Sequence, residues 1–179
     1  MNATYFLIST LFNLYLMVVL LRLWLQFVKA DFYNPLSQVV VKATQPVVGP
    51  LRRVVPSLGP FDTATFVFAL IVSALKVTTI SLVFSGSLNP LAIVIASLFD
   101  VIRESLSLVF WILILRAILS WVSQGNSPIE FVLSQLTEPF LRPIRNILPP
   151  MGGLDLSVLV AIIALQFLRI LVGDFMAGV

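Results

Sequence analysis

The fold is decided by a segment that occurs twice in the chain, as NPLSQVVVKATQPVVGPLRRVVPSLGPFD over residues 34–62 and as SPIEFVLSQLTEPFLRPIRNILPPMGGLD over residues 127–155. Prolines, a threonine, an arginine, a glycine and a closing aspartate recur at a constant offset. The matched pairs are Pro35 and Pro128, Thr44 and Thr137, Pro46 and Pro139, Pro50 and Pro143, Arg52 and Arg145, Pro56 and Pro149, Gly59 and Gly152, and Asp62 and Asp155. Composition alone does not align these residues at one constant offset. The alignment therefore indicates an internal duplication.

The duplication extends beyond this segment in both directions. The same offset pairs Lys76 with Arg169, and with one residue inserted in the first copy Arg22 pairs with Arg116. Each of these four cations lies inside a long apolar block. Each repeat is therefore interpreted as a membrane span, a patterned loop and a second span. An even number of spans per repeat leaves both repeats in the same orientation, so we expect a pseudo-twofold axis along the membrane normal.

The composition supports a membrane protein. The 179 residues are 59% hydrophobic and 11% charged, whereas a soluble domain carries about 25% charged residues. Apolar blocks over residues 3–28, 63–84, 105–122 and 156–175 come near the length of about 20 residues that a helix needs to cross a bilayer. The predicted fold class is an all-α integral membrane protein with four transmembrane helices in two parallel-repeat helical hairpins. Repeat 1 takes residues 1–84, a connector residues 85–104, and repeat 2 residues 105–179.

The connector leaves two placements open. Residues 91–99 are apolar but too short to span a bilayer alone, so they either lie in the membrane interface or pack on the bundle. Asp100, Arg103 and Glu104 follow them. We interpret these three residues as a solvated cap on a helix that continues outward from the third span.

Each patterned loop predicts an amphipathic helix. Asn34 ahead of Pro35 is typical of a helix N-cap, and Ser127 with Pro128 and Glu130 forms a capping box. Apolar residues at helical spacing follow both caps: Leu36, Val39, Val40 and Ala43 in repeat 1, and Ile129, Val132, Leu133, Leu136 and Phe140 in repeat 2. Each stripe faces either the membrane surface or the protein's own spans.

The prolines predict where these helices end. A residue before a proline disfavours the α conformation, so we expect Pro46 and Pro139 to stop the two loop helices. A separate one-turn basic element would follow, from Pro50 to Pro56 in repeat 1 and at the matching positions in repeat 2.

The topology follows from the distribution of Lys and Arg. The two loops carry Lys29, Lys42, Arg52, Arg53, Arg142 and Arg145. The opposite side carries Arg103 and an uncharged amino-terminal tail. The positive-inside rule therefore predicts a multi-pass protein with both loops in the cytoplasm and both termini in the periplasm.

The chain contains no Cys and no His. This composition excludes thiolate nucleophiles, disulfides, iron–sulfur clusters and histidine-based general base catalysis. We therefore predict a non-enzymatic protein with no catalytic residues, metal site or cofactor. The net charge is only +3, without a basic face of interleaved polar residues, so direct nucleic-acid binding is not expected.

The doubled proline–arginine–proline–glycine–aspartate pattern, with the upstream pairs Arg22 and Phe27, and Arg116 and Trp121, resembles the YggT family over nearly the whole chain. Members are small bacterial inner-membrane proteins, with relatives in cyanobacteria and plastids. The resemblance implies a link to osmotic-stress tolerance and potassium uptake, and in plastid relatives to cytochrome b assembly and to division or nucleoid distribution. No catalytic activity is implied.

The candidate functional residues are the charges that recur: Arg22, Arg52, Asp62 and Lys76, matched by Arg116, Arg145, Asp155 and Arg169. Each aspartate precedes a span and is interpreted as an N-cap, or as part of a cation or arginine site on the pseudo-twofold axis. Arg52 and Arg145 would pair with the aspartates ten residues downstream or bind lipid phosphate.

The four cations inside spans would snorkel to lipid headgroups, with a transport role as the alternative. No acidic residue lies deep in any predicted span, so a cation pathway lined by these residues is disfavoured.

Two functions are carried forward. The first is a membrane scaffold, assembly or stress-tolerance factor that presents the two basic loops to the phospholipid membrane or to a membrane-protein partner. The second is a small ion-handling protein for osmotic and potassium balance. Four spans enclose little interior, so either function would need several copies or a larger partner.

Overall fold

The computed structural model describes residues 2–59, 61–86, 88–122, 128–147 and 156–177. Within these ranges the protein is all-helical and has six helices: α1 Ala3–Phe27, α2 Pro35–Val54, α3 Thr63–Phe84, α4 Pro90–Val122, α5 Pro128–Ile147 and α6 Leu156–Ala177. Among the described residues, three segments are long and apolar enough to cross a membrane: α1, α3 and residues Leu156–Phe175 of α6. The prediction of an all-α membrane protein is confirmed at this level.

The connector is part of a helix. Residues 91–99 continue without a break into the third predicted span, so α4 is one helix of 33 residues. Ser73 Oγ of α3 lies 3.2 Å from the Ser97 carbonyl oxygen of α4. The early part of α4 thus packs on the bundle, which is one of the two placements that the sequence leaves open.

The two halves of the chain make similar contacts. In the first half α1 packs along α3, and α2 contacts both. In the second half α4 packs along α6, and α5 contacts both. Contacts of α4 with α1 and α3 join the halves. Leu16, Val19 and Leu25 of α1 are fully buried in the resulting core.

The two loop helices run through their prolines, so the expectation that Pro46 and Pro139 end them is wrong. α2 continues to Val54 and α5 to Ile147, each with two internal prolines four residues apart. All four prolines lie on exposed faces, where carbonyl groups that lose a helical N–H partner remain accessible. The separate one-turn elements are therefore absent from the described residues, and the arginines of the basic turns belong to α2 and α5.

The buried face of each loop helix packs on the protein itself. Val40, Thr44 and Val48 are buried in α2, whereas Val39 is 65% exposed. In α5 the buried positions are Val132, Leu133, Leu136, Thr137 and Leu141. Packing against the protein's own spans, one of the two open alternatives, thus accounts for these faces. Membrane contact by the exposed apolar residues stays a prediction.

The N-termini of α2 and α5 meet. The Asn34 side chain caps α2 by accepting from Leu36 N at 3.0 Å, and its Nδ2 donates to the Pro128 carbonyl at 2.6 Å. Trp24 of α1 and Phe140 of α5 pack edge to face with ring centroids 5.6 Å apart. The N-terminal ends of the two loop helices are therefore in contact, and α5 also packs on α1. Ser127, the predicted cap of α5, lies outside the described residues.

Candidate functional site

Arg22 joins α1 to α2. The residue is only 3% exposed, and its Nη1 donates to Thr44 Oγ1 at 2.8 Å. Its Nη2 donates to Gln45 Oε1 at 2.7 Å. The predicted snorkelling along the span to lipid is therefore wrong for Arg22, because polar groups of α2 hold part of the guanidinium inside the protein.

Arg116 makes the matching contact in the second half. Its Nη1 donates to Thr137 Oγ1 of α5, and its Nη2 lies 3.8 Å from Glu138 Oε2. Thr44 and Thr137 each also donate to the carbonyl four residues earlier in their own helix. A threonine hydroxyl can donate one hydrogen bond while accepting another, so each threonine links a loop helix to an arginine of a longer helix, α1 or α4. We name this repeated contact the arginine–threonine clamp.

Arg52 and Asp62 form the ion pair that their spacing predicts. Arg52 Nη2 lies 2.5 Å from Asp62 Oδ2 and 2.5 Å from Gln26 Oε1 of α1. Asp62 also accepts from Thr65 N at 3.3 Å, which makes it the N-cap of α3. The predicted N-cap and the predicted ion pair are therefore both present in repeat 1, where they tie the C-terminal end of α2 to the start of α3.

The turn between Arg52 and Asp62 depends on Gly59. Leu58 and Phe61 exchange backbone hydrogen bonds of 3.1 Å in both directions, and Gly59 between them has φ +60°. Burial by itself raises the pKa of the Asp62 carboxyl, but hydrogen bonds from Arg52 and Thr65 outweigh it and hold the pKa below its usual value. Asp62 is therefore a carboxylate at neutral pH.

In repeat 2 a glutamate of α5 contacts two arginines. Arg145 Nη1 lies 3.1 Å from Glu138 Oε2 and 3.3 Å from Glu138 Oε1. Glu138 thereby lies beside both Arg116 and Arg145. Asp155, the predicted counterpart of Asp62, lies outside the described residues.

Lys76 of α3 is buried and paired with an acidic residue from α4. Its Nζ contacts Asp100 Oδ1 and donates to Asn13 Oδ1 of α1 at 2.7 Å. Ser73 Oγ donates to Asp100 Oδ2 at 2.6 Å. Lys76 is 7% exposed, so the predicted snorkelling is wrong for this residue as well. A buried ammonium needs a paired and hydrogen-bonded partner, which the connector part of α4 supplies.

The predicted solvated cap on α4 is also wrong. Asp100 is engaged by Lys76, and Glu104 is buried one turn later, while Arg103 alone of the three is exposed. Arg169, the counterpart of Lys76, lies over the Phe110 ring at 5.1 Å and donates to Gln166 Oε1 at 3.4 Å. The two matched cations thus have different partners.

A cleft of about 530 Å³ opens beside the first arginine–threonine clamp. It is lined by Arg22, Gln26, Lys29, Ala30, Phe32, Val41, Gln45 and Arg52. Two of the eight predicted site residues, Arg22 and Arg52, therefore lie in one cleft. Among the described residues no group of three or more Asp, Glu, His or Cys side chains could hold a metal ion.

Sequence reasoning misses the partners of these cations. The duplication identifies Thr44 and Thr137 only as matched positions, and it gives no reason to single out Gln45 and Glu138, which occupy the next matched pair. The difference in charge at that one repeat position is a signal that could have found them. From the sequence, Asp100 is expected in solvent. Its charge does not reveal that this side of the helix faces another helix.

Comparisons with known proteins agree with the duplicated pattern. A protein of Vibrio alginolyticus described as an uncharacterized protein in the proC 3' region is 56% identical over 181 residues, covering 100% of this chain and 98% of its own length. The uncharacterized protein YggT of Escherichia coli K12 is 48% identical over 97% of this chain and 91% of its own length.

A plastid relative matches a shorter part. YlmG homolog protein 2, chloroplastic, of Arabidopsis thaliana is 40% identical over 55 residues, which is 31% of this chain and 22% of that protein. No solved structure matches the chain. The model of the CCB3/YggT family matches residues 1–83 and 95–176, so the chain belongs to the CCB3/YggT family.

Proposed function

We propose that this protein is a non-enzymatic membrane scaffold that holds two amphipathic helices, α2 and α5, rigidly at one membrane surface for binding to a membrane-protein partner or to further copies of itself. The observation that carries the proposal is the arginine–threonine clamp in both halves. A buried arginine in an apolar span costs free energy unless it is paired. Here both arginines are used to fix a loop helix, which indicates that the position of that helix matters.

The proposal includes four spans. α4 has 33 residues, which corresponds to roughly 50 Å at 1.5 Å per residue and exceeds the hydrocarbon thickness of a bilayer. Its packing along α6 matches that of α1 along α3. We therefore propose that residues 105–122 cross the membrane and that residues 90–104 extend the helix beside α3. Each half is then a span, a loop helix and a second span.

The proposed location is the bacterial inner membrane with α2 and α5 on the cytoplasmic side. The contact between Asn34 and Pro128 joins the N-termini of both loop helices, which supports a location of both on the same side of the membrane. The basic residues Lys42, Arg53 and Arg142 lie exposed on these helices. The positive-inside rule assigns such a surface to the cytoplasm.

The exposed surface of the loop helices is suited to contact with apolar groups. Val47 and Val54 of α2 are 44% and 79% exposed, and Phe131 and Ile147 of α5 are 56% and 80% exposed. Mixed apolar and basic helices of this kind bind either anionic membrane surfaces or protein partners. We propose a protein partner, because the buried faces already secure both helices to the spans.

An ion-handling function is the second candidate, and one observation favours it. Lys76, Asp100 and Asn13 form a polar cluster among apolar helices, and ionisable residues inside membrane segments often mark ion pathways. The same cluster is accounted for as a structural ion pair between α3 and α4. The scaffold is therefore the preferred proposal.

Crosslinking in native membranes, with mass spectrometry of the captured proteins, tests the scaffold. Val47→Asp on α2 should reduce capture of a specific protein, or of a second copy, without loss of folded protein. Leu88→Asp is the matched control, because Leu88 is an exposed apolar residue outside both loop helices. Equal loss in the two variants, or none in Val47→Asp, would contradict the proposal.

Liposomes containing only the purified protein separate the two candidates. Potassium flux that is abolished by Lys76→Met would support ion handling and overturn the scaffold as the primary function. Absence of flux from folded protein, together with the capture result above, supports the scaffold.

A further inference from the structure

We propose that the cleft beside Arg22 is a binding site for a phosphate-bearing anion, either the headgroup of an anionic phospholipid or a free phosphate compound. Such a site goes beyond the scaffold function and does not depend on it. Three features support it: the charge of the cleft, the backbone of Lys29 and a difference between the two halves.

The cleft concentrates positive charge. Arg22, Lys29 and Arg52 line it together with the amide side chains of Gln26 and Gln45, and none of the described lining residues is acidic. Arg22 and Arg52 line the same cleft, where like charges repel each other. Arg22 is also buried, where water screens its charge poorly. Like charges held together in this way favour the binding of an anion.

The nearby carboxylates are already engaged. Asp62 binds Arg52 and also caps α3 through Thr65. Asp31 follows the cleft residue Ala30 and accepts from Tyr33 N at 2.9 Å in its own turn. These two carboxylates are outnumbered by the three cations that line the cleft, which leaves net positive charge for a ligand.

Lys29 is held in a backbone conformation that favours glycine. It follows the C-terminus of α1 with φ +53°, and its N–H donates to the Gln26 carbonyl at 3.1 Å. Glycine or asparagine is usual at such a position, and another residue there is strained. A lysine at this point adds a third cation to the cleft at a cost in backbone energy.

In the second half of the chain, the corresponding pair of arginines contacts a carboxylate. Glu138 of α5 contacts both Arg116, at 3.8 Å, and Arg145, at 3.1 Å. The matching residue in α2 is Gln45, which is neutral and binds Arg22 through its amide oxygen. The first half therefore has the arginine pair without the carboxylate that bridges the pair in the second half.

Phosphate is the ligand group that fits this difference. It offers several oxygen acceptors to guanidinium groups, which bind phosphate and carboxylate with the same fork of N–H donors. The volume of about 530 Å³ holds more than the phosphate itself, and Ala30, Phe32 and Val41 give part of the cleft an apolar lining. A glycerol or similar organic group attached to the phosphate would contact that lining.

Two single substitutions exchange the relevant residue between the halves. Gln45→Glu would place a carboxylate against Arg22 as Glu138 is placed against Arg116, and it should weaken phosphate binding about tenfold or more. Glu138→Gln, the matched control, should leave binding at the first cleft intact. Binding is measured on purified full-length protein, and size-exclusion chromatography confirms folding. Equal affinity of Gln45→Glu and the parent protein, or loss of binding only in Glu138→Gln, would overturn the proposal.

Lys29→Gly provides a second test, in which we expect phosphate affinity to fall and the unfolding temperature to rise. Removing the cation should weaken binding about fivefold, while relief of the positive φ should raise the unfolding temperature. Reduced affinity in a more stable protein supports the assignment and excludes a folding defect as the cause. Unchanged affinity would contradict the role of Lys29 and, with unchanged binding in Gln45→Glu, the site itself.

The source of the phosphate is decided by two arms of the same experiment. Inorganic phosphate and glycerol 3-phosphate are titrated into protein in neutral detergent, and phosphatidylglycerol retained from nanodiscs is compared with phosphatidylcholine by native mass spectrometry. Selective retention of phosphatidylglycerol, lost in Gln45→Glu, identifies a lipid site. Binding of the soluble compounds alone identifies a free phosphate compound. Failure of both arms in folded parent protein would refute the inference.

Discussion

Lys76 and Asp100 form a buried ion pair between α3 and α4, and thereby join the two halves of the protein. Ser73 Oγ, 2.6 Å from Asp100 Oδ2, and Asn13 Oδ1, 2.7 Å from Lys76 Nζ, complete its hydrogen bonding. In an apolar bundle such a pair restricts how neighbouring helices can be aligned, because any shift leaves a charge without its partner. The pair therefore specifies how the connector packs against α3.

Removal of one partner of this pair should destabilise the protein. Asp100→Leu leaves the Lys76 ammonium buried without its carboxylate, and we expect a loss of about 3–5 kcal/mol in the free energy of unfolding. The double variant Lys76→Met with Asp100→Leu should recover much of that loss. Unfolding in mixed detergent micelles measures both effects. Asp174→Asn is the control at an exposed acidic residue, and a single variant no less stable than this control would contradict a structural role.

The arginine–threonine clamp should be sensitive to loss of either hydroxyl. Thr44→Val and Thr137→Val each remove the group that accepts from Arg22 of α1 or Arg116 of α4, at a cost of about 1.5–3 kcal/mol for a hydrogen bond to a charged group. Hydrogen exchange should rise in the loop helix that has lost its clamp. Thr79→Val is the matched control, since the Thr79 hydroxyl donates to the Leu75 carbonyl of its own helix at 2.7 Å. The same exchange pattern in all three variants would argue against the clamp.

The ion pair of Asp62 with Arg52 should make stability depend on pH. The folded pKa of Asp62 lies below its unfolded value, so the pair contributes its full stability above the unfolded pKa of about 3.9 and loses it as the pH falls through the folded pKa. Asp62→Asn should remove this contribution. The difference in unfolding temperature between the parent protein and Asp62→Asn should be constant from neutral pH to about pH 5 and shrink in stronger acid. If the difference in unfolding temperature grew on acidification, the pKa of Asp62 would be raised in the folded protein and the expected direction would be wrong.

Two glycines should respond to alanine with opposite signs. Gly59→Ala introduces a Cβ where φ is +60°, and we expect destabilisation of about 1–2 kcal/mol. Gly173→Ala lies inside α6 and should stabilise that helix by roughly 0.5–1 kcal/mol. A Cβ at either position would meet no atom within 4 Å, so backbone conformation alone sets the two signs. Thermal unfolding of both variants in one detergent provides the measurement, and equal signs would contradict the assignment of the turn.

The sequence alone predicts the membrane class, the internal duplication, the capping of α2 by Asn34 and the family. These features follow from local patterns: apolar blocks, prolines and caps act on neighbouring residues, so they can be read along the chain. The ion pair of Arg52 with Asp62 could also be predicted from the sequence, because the two residues are only ten positions apart and the turn at Gly59 brings them together.

The partners of Arg22 and Lys76 and the lengths of the two loop helices depend on tertiary packing. Arg22 reaches Thr44 and Lys76 reaches Asp100 across more than twenty residues, and helical periodicity does not specify which faces of two separate helices will meet. α2 passes through Pro46 because the packing of its opposite face stabilises the helix beyond the local preference of a proline. Long-range packing thus overrode local propensity at the prolines, and it turned charges that the sequence assigned to lipid or solvent into buried contacts between helices.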